Sequence, residues 1–182
     1  RQLRLKPRVI ARLVPDDVYD YVLVVLQATQ LDSVLPVLAA NRSAAFVFVV
    51  NNPLGYESMI QAVGRERVMI GFPSAGGERR DGVVHYFIGK GPVKAFQSTT
   101  FGELDGCSTP RLKTLVRLFR RAGFAPSVSA DMASWQKSHV AVVLPIARAL
   151  YRFDSDNYRL ARSRASIRQM VLATRECFAV LR

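Results

Sequence analysis

Three short apolar runs organise the first half of the chain: YVLVVL at 21–26, AAFVFVV at 44–50 and VMI at 68–70. Each is continuous rather than alternating, and rich in β-branched or aromatic residues. That is the pattern of a strand buried on both faces, as in a parallel sheet. Between them, QLDSVLPVLAA at 30–40 reads as a helix despite Pro36, and 56–63 as a shorter one. Strand, helix, strand, helix, strand implies a parallel sheet with crossover helices. Upstream, 3–14 alternates like one or two short strands, with Pro7 limiting their pairing, and Pro15-Asp16-Asp17 is a turn. Downstream, 83–88 and 93–98, separated by Gly89-Lys90-Gly91-Pro92, read as a hairpin. Residues 110–122 read as a helix with Gly123 past its end, and 125–129 as a short strand or linker.

From Asp131 the pattern changes. Residues 131–152 and 157–181 are helical, the second capped near Ser155 or Asp156, and no strand signal remains. A domain boundary is therefore expected near Ala130, dividing 1–130 from 131–182.

Composition adds little to this picture but excludes much. The 182 residues are 49% hydrophobic and 22% charged, which suits a globular domain rather than a disordered chain. No apolar run approaches the roughly 20 residues of a membrane span. The longest, 140–150, is interrupted by Pro145 and Arg148. Arg1, Arg4, Lys6 and Arg8 alternate with apolar residues, unlike a signal peptide. Cys107 and Cys177 form no disulfide framework and match no metal spacing, so reduced thiols in a cytoplasm are the expectation. The net charge of +12 is dispersed over the N-terminus, 111–121 and 159–182. In RLKTLVRLFRR at 111–121 the apolar residues fall at helical spacing with arginines opposite. Solvated helix faces account for these charges, with an anionic partner, a phosphate-bearing cofactor or a nucleic acid, as the alternative.

In an open parallel sheet, ligands bind beyond the carboxyl ends of the strands. Those ends carry Gln27-Ala28-Thr29-Gln30, Asn51-Asn52 and Ser74-Ala75-Gly76-Gly77. Such amides, hydroxyls and glycines can hydrogen-bond a sugar or an amide, and are also ordinary turn residues. No Gly-x-Gly-x-x-Gly, Walker loop, His-Glu-x-x-His, nucleophile elbow or metal-ligand cluster occurs. His85 sits in an expected strand. His139 follows Trp135 by four residues, so the pair shares a helix face suited to packing. The stretch SWQKSHVAVVLPIARAL at 134–150 carries Lys137 at its apolar start. An ammonium stripped of water costs several kcal/mol unless paired or discharged, so Lys137 either snorkels to water or does chemistry.

The order of segments resembles the ketopantoate reductase (2-dehydropantoate 2-reductase) family. The stretches that carry the likeness are YDYVLVVLQATQ at 19–30, FVVNNPLGYESMI at 48–60, RVMIGFPSAGGERRDGVVHYFIGKG at 67–91, MASWQKSHVAVVLPIARAL at 132–150 and ATRECFAVLR at 173–182. The resemblance implies an α/β fold. In it, a partial Rossmann-like parallel sheet with an added hairpin makes a nucleotide-binding domain over 1–130. Part of an all-helical C-terminal domain, of the 6-phosphogluconate-dehydrogenase-like kind, follows over 131–182 for substrate and dimerisation. It covers only the middle of a family member. The sequence thus reads as a divergent fragment, whose glycine-rich βαβ unit would precede Arg1 and whose closing helices, with an acidic active-site residue, would follow Arg182. Such a piece is expected to be inactive alone.

What the resemblance implies is cytoplasmic, NADPH-dependent reduction of a 2-keto acid to a 2-hydroxy acid, as in pantothenate biosynthesis. Trp135-Gln136-Lys137 matches the family's Trp-x-Lys, which makes Lys137 the catalytic proton donor and a substrate contact. Asn52 matches an asparagine near nicotinamide and substrate, and Gln30 a glutamine near the cofactor; Gln27 and Ala75 complete the cofactor-facing positions at the strand ends. Partial burial would lower the lysine's pKa toward working pH, and a general acid contributes on the order of 10²- to 10⁴-fold. The departures are Ala141 and Pro145 where the family carries asparagines, Gln27 where it carries a lysine, and Pro53 where it carries a glycine. They leave the donor but put ketopantoate itself in doubt. The implied partners are a small 2-keto acid and, through the helical domain, a second copy; no membrane is implied. Two rivals remain: a catalytically silent nucleotide-binding or scaffold homologue of this fold, and a basic nucleic-acid-binding module, against which the lack of aromatic platforms counts.

Overall fold

Strand β2 (Phe46–Val49) is buried along its whole length. The structure, a computed structural model, describes residues 6–88, 92–93 and 97–181. Strands β1 (Val22–Val24) and β3 (Val68–Phe72) flank β2 in parallel, with Val24 opposite Phe48 and Phe48 opposite Ile70. The crossovers are α1 (Leu31–Ala40) and α2 (Glu57–Val63). This is the arrangement the continuous apolar runs predict. A separate hairpin pairs β4 (Ala75–Arg80) with β5 (Val83–Ile88). The chain then returns to the main sheet as β6 (Thr99–Glu103), antiparallel to β3, and β7 (Pro126–Val128), parallel to β6, with α3 (Pro110–Arg121) between them. The sheet order is β1-β2-β3-β6-β7. From Met132 onward the described elements are helices: α4 (Met132–Tyr151), α5 (Asn157–Arg162) and α6 (Arg164–Val180).

Alternation along the strands sorts the core into two layers. Phe46, Phe48, Val50, Val68 and Ile70 pack with Leu31, Leu35 and Leu38 of α1, Met59 and Val63 of α2, and Met132 of α4. Val47, Val49, Met69 and Phe101 face the other way, onto Leu112, Leu115 and Val116 of α3. The amphipathic stripe of 111–121 thus covers one face of the sheet and leaves Arg117, Arg120 and Arg121 outside.

Two close contacts fix the flanking helices. A Cβ on Gly102 would lie 2.6 Å from Cγ of Met132 and 2.5 Å from the Ser129 carbonyl oxygen, so the start of α4 rests directly on the β6 backbone. The buried Glu103 carboxylate accepts hydrogen bonds from Nε and Nη2 of Arg111 and from the Thr109 hydroxyl, while Nη1 of Arg111 reaches the Glu66 carbonyl. That network ties the start of α3 to β6 and to the turn before β3.

Several elements differ from the sequence expectation, each for a physical reason. Residues 6–14 form no strand. The chain there is held by Asn41, whose Nδ2 donates to the carbonyls of Val14 and Asp17. β1 is not buried on both faces: Leu23 and Val25 are exposed, because β1 is the edge of the described sheet. The partner of 83–88 is 75–80 rather than 93–98, of which 94–96 lie outside the described residues, as do Gly89-Lys90-Gly91. The turn is Asp81-Gly82, both at positive φ (52° and 77°), as a tight hairpin requires. Glycines 76 and 77 are strand residues because bulk there would strike Phe87 and the His85 backbone. The expected helix over 157–181 breaks at Ser163, whose side chain caps α6 by accepting from the Ser166 amide.

Two outcomes test this packing. Gly102→Ala should destabilise by about 1–3 kcal/mol through overpacking, read as a lower urea midpoint. Arg111→Met, which strands the Glu103 carboxylate, should cost about 3–5 kcal/mol in the same measurement, and Glu103→Gln with it should recover part of the loss.

Candidate functional site

Because β1, β2 and β3 run parallel and in register, their carboxyl ends share one edge of the sheet. The first turns of α4 lie across the tips of β2 and β3. Gln136, fully buried, donates from Nε2 to the Val50 carbonyl at 2.8 Å and accepts at Oε1 from the Tyr56 hydroxyl at 3.1 Å. One turn along, Trp135 and His139 stack with their rings 5.4 Å apart and 5° from parallel. Phe72, at the end of β3, packs against both, at 4.7 Å and 4.3 Å between centroids. Asp131 caps the helix by accepting from the Ser134 amide at 2.9 Å.

Asn52 is buried at the β2 tip. Its amide closes the 52–55 turn, donating to the Gly55 carbonyl at 2.8 Å and accepting from the Leu54 amide at 3.2 Å. Gln27 and Gln30 follow β1 on an exposed helical turn, with Oε1 of Gln30 accepting from the Gln27 amide. Ala75 is exposed at the start of β4, where the chain leaves the sheet. Ser74, just before it, is half-buried, and its amide donates to the Thr99 hydroxyl.

Lys137 is exposed, contrary to the expectation of partial burial. The reason is helical geometry. It lies about 100° around α4 from Gln136, off the seam with the sheet, and its ammonium makes no ion pair among the described residues. It heads the stripe Lys137, Ala141, Pro145, Ala149, of which the last three are buried; Pro145 and Ala149 face Ser166 and Met170 of α6. The structure therefore joins Tyr56 and Phe72 to the Trp135–His139 turn, with Asn52 in the loop between Val50 and Tyr56 and Lys137 on the neighbouring helix face. The sequence reading missed Gln136, Tyr56 and Phe72. A signal existed for Gln136: it shares the stripe of Met132 and His139, where a side-chain amide needs an internal partner.

The donor set at this edge is neutral: amides from Gln27, Gln30 and Asn52, and the Ser74 hydroxyl. Among the described residues nothing there cradles a pyrophosphate, and no group of three His, Cys, Asp or Glu could hold a metal.

Burial shapes the titrating groups. Desolvation, with a smaller contribution from Asp131, pushes the Tyr56 phenol up to about 12, so it remains a donor to Gln136 at neutral pH. Desolvation alone lowers His139, favouring the neutral imidazole stacked on Trp135. The hydrogen bonds from Ser134, with a lesser effect of Lys137, hold the Asp131 carboxyl below its usual range. A histidine depressed by folding contributes stability that is present above its unfolded pKa of about 6.5 and lost as pH falls through the folded value. The thermal midpoint of the wild type should therefore drop more steeply below about pH 6.5 than that of His139→Phe; equal slopes would remove His139 from the pH dependence.

No family model and no curated protein matches the sequence. Solved structures do match the fold. The chain is similar to the 2-dehydropantoate 2-reductase of Geobacter metallireducens GS-15, with a TM-score of 0.75 and 19% identity over 91% of this chain and 55% of that one. It is also similar to a D-mandelate dehydrogenase solved with NADH and anilino(oxo)acetate, with a TM-score of 0.64 and 16% identity over 86% and 49%. A dimeric ketopantoate reductase from Staphylococcus aureus aligns at 0.59 and 13% over 89% and 53%. No helix among the described residues is long and apolar enough to cross a membrane. At these identities the likeness is one of fold, and the chain carries the ketopantoate reductase fold over about half the length of its solved neighbours.

Proposed function

We propose that this chain is the central part of an NADPH-dependent reductase that converts a 2-keto acid to a 2-hydroxy acid. On this reading 1–130 is its nucleotide-binding domain and 131–182 part of its helical substrate domain. The observation that carries the reading is the seat of α4. Gln136 on the Val50 carbonyl and Trp135 on Phe72 hold the Trp135-Gln136-Lys137 turn beside the Asn52 loop, at the edge where open α/β sheets take their ligands.

The cofactor supplies the hydride. As it reaches the ketone carbon, the electron pair of the C=O π bond moves to oxygen, and the Lys137 ammonium stabilises that charge and transfers a proton to it. Solvent then reprotonates the amine, to which its exposure gives ready access. Gln27, Gln30, Asn52 and the backbone at Ala75 are the cofactor-facing positions, and Asn52 with Lys137 meets the substrate. With Ala141 and Pro145 buried on the Lys137 stripe, no side-chain amide follows the lysine along that face. A 2-keto acid with an apolar substituent therefore suits the site better than a hydroxylated one such as ketopantoate. A homodimer through the helical segment and a cytoplasmic location belong to the same proposal.

The exposure of Lys137 favours a second reading, the same fold retaining nucleotide binding without the reaction. The two separate in one experiment on the full-length protein: NADPH and NADH oxidation against a panel of 2-keto acids, wild type beside Lys137→Ala. The reductase reading expects turnover by the wild type and a loss of about 10²-fold or more in kcat for the variant, with nucleotide affinity retained. Nucleotide binding with no turnover of any keto acid selects the silent homologue.

A further inference from the structure

We infer that Gln136 is a positioning residue for the proton donor next to it, a role that rests on the reductase reading above. Gln136 is a polar side chain with no exposed surface, lying between two packing residues of α4, Met132 and His139. Its amide is used at both ends. Nε2 donates to the carbonyl of Val50, two residues before Asn52, and Oε1 accepts from the hydroxyl of Tyr56, at the entry to α2. The loop that holds Asn52 is therefore bracketed by the two partners of one side chain, on the helix that carries Lys137.

This arrangement sets two degrees of freedom. The short bond to the Val50 carbonyl fixes the height of α4 over the tip of β2. The bond from Tyr56 fixes the rotation of the helix about its axis, because a turn of a few tens of degrees would pull Oε1 off the hydroxyl. Rotation is what decides where a lysine about 100° further round the helix delivers its ammonium. An apolar residue of similar length could fill the volume but could not specify that angle. Tyr56 is suited to its part, since a neutral phenol donates its one proton to the Gln136 amide oxygen.

The test uses the full-length protein with Gln136→Leu and the milder Tyr56→Phe, each alone and combined with Lys137→Ala. Two readouts are taken: steady-state kinetics, and hydrogen exchange at the amides of 54–57 and 133–137. Gln136→Leu should lower kcat on the order of tenfold to a hundredfold, as misplacement of a reacting group by about an ångström does, while the cofactor KM stays constant. Tyr56→Phe should act in the same direction and less. In the Lys137→Ala background Gln136→Leu should have no further effect, because two residues acting as one unit are not additive. Exchange at both segments should rise about tenfold or more in Gln136→Leu. Unchanged kcat in Gln136→Leu, or a loss that adds in full to that of Lys137→Ala, overturns the inference. If the wild type reduces no 2-keto acid, the reductase reading fails, and exchange alone decides whether Gln136 holds the two segments together; unchanged exchange ends that claim as well.

Discussion

The side-chain amide of Gln136 has no exposed surface, and a buried amide must satisfy its donor and its acceptor inside the protein. Its partners are the carbonyl of Val50, just past the end of β2, and the phenol of Tyr56, raised by desolvation. Leaving either unpaired would cost about 1–3 kcal/mol, a large share of what holds one helix start in place. From that constraint the rest of the edge follows. With Gln136 turned into the seam, Trp135 and His139 fall against Phe72, Met132 falls onto Gly102, and Lys137 is carried out to the adjacent face.

The scaffold beneath is built to hold that seam still. β2 presents Phe46 and Phe48 to one layer, joined by Val50 just past its end, and Val47 and Val49 to the other, so the strand is pinned from both sides. Glycines at 71 and 102 let neighbouring groups approach the sheet more closely than any side chain would allow: the Phe101 ring in one case, Met132 in the other. The Glu103–Arg111 pair locks the opposite layer by joining β6, the start of α3 and the turn before β3. A strand tip in such surroundings is a rigid platform, which is what a site that must hold reacting groups to within a fraction of an ångström requires.

The chemistry proposed for Lys137 does not require a buried amine, but it takes a different route from the one burial would provide. A buried lysine donates because desolvation brings its pKa down. An exposed one contributes as a positive charge at the developing oxyanion, and as a proton source refilled from solvent. The weight then falls on where the ammonium is held rather than on how acidic it is. On that proposal the rotation of α4, which sets where Lys137 sits relative to the strand tips, is what matters.

The elements legible in the sequence are those whose signal is local. The runs at 21–26, 44–50 and 68–70, the amphipathic stripe at 111–121 and the apolar stretch from 132 carry their periodicity in neighbouring residues, and all became the expected elements. The Asp81-Gly82 turn is equally local, but the glycines at 76 and 77 read as loop in isolation; in the hairpin they fit where a Cβ would strike the Phe87 ring and the His85 carbonyl. β6 could not be read from TTFGE, since a strand of two threonines, a phenylalanine, a glycine and a glutamate is stabilised by what lies beside it: β3, Ser129 and Arg111. At the site, the sequence determined which residues lie near the strand ends and that Trp135, Gln136 and Lys137 follow one another on a helix. Only the tertiary structure decided that the glutamine faces the sheet and the lysine faces outward, because that choice depends on a carbonyl 86 residues away in the chain and a hydroxyl 80 away.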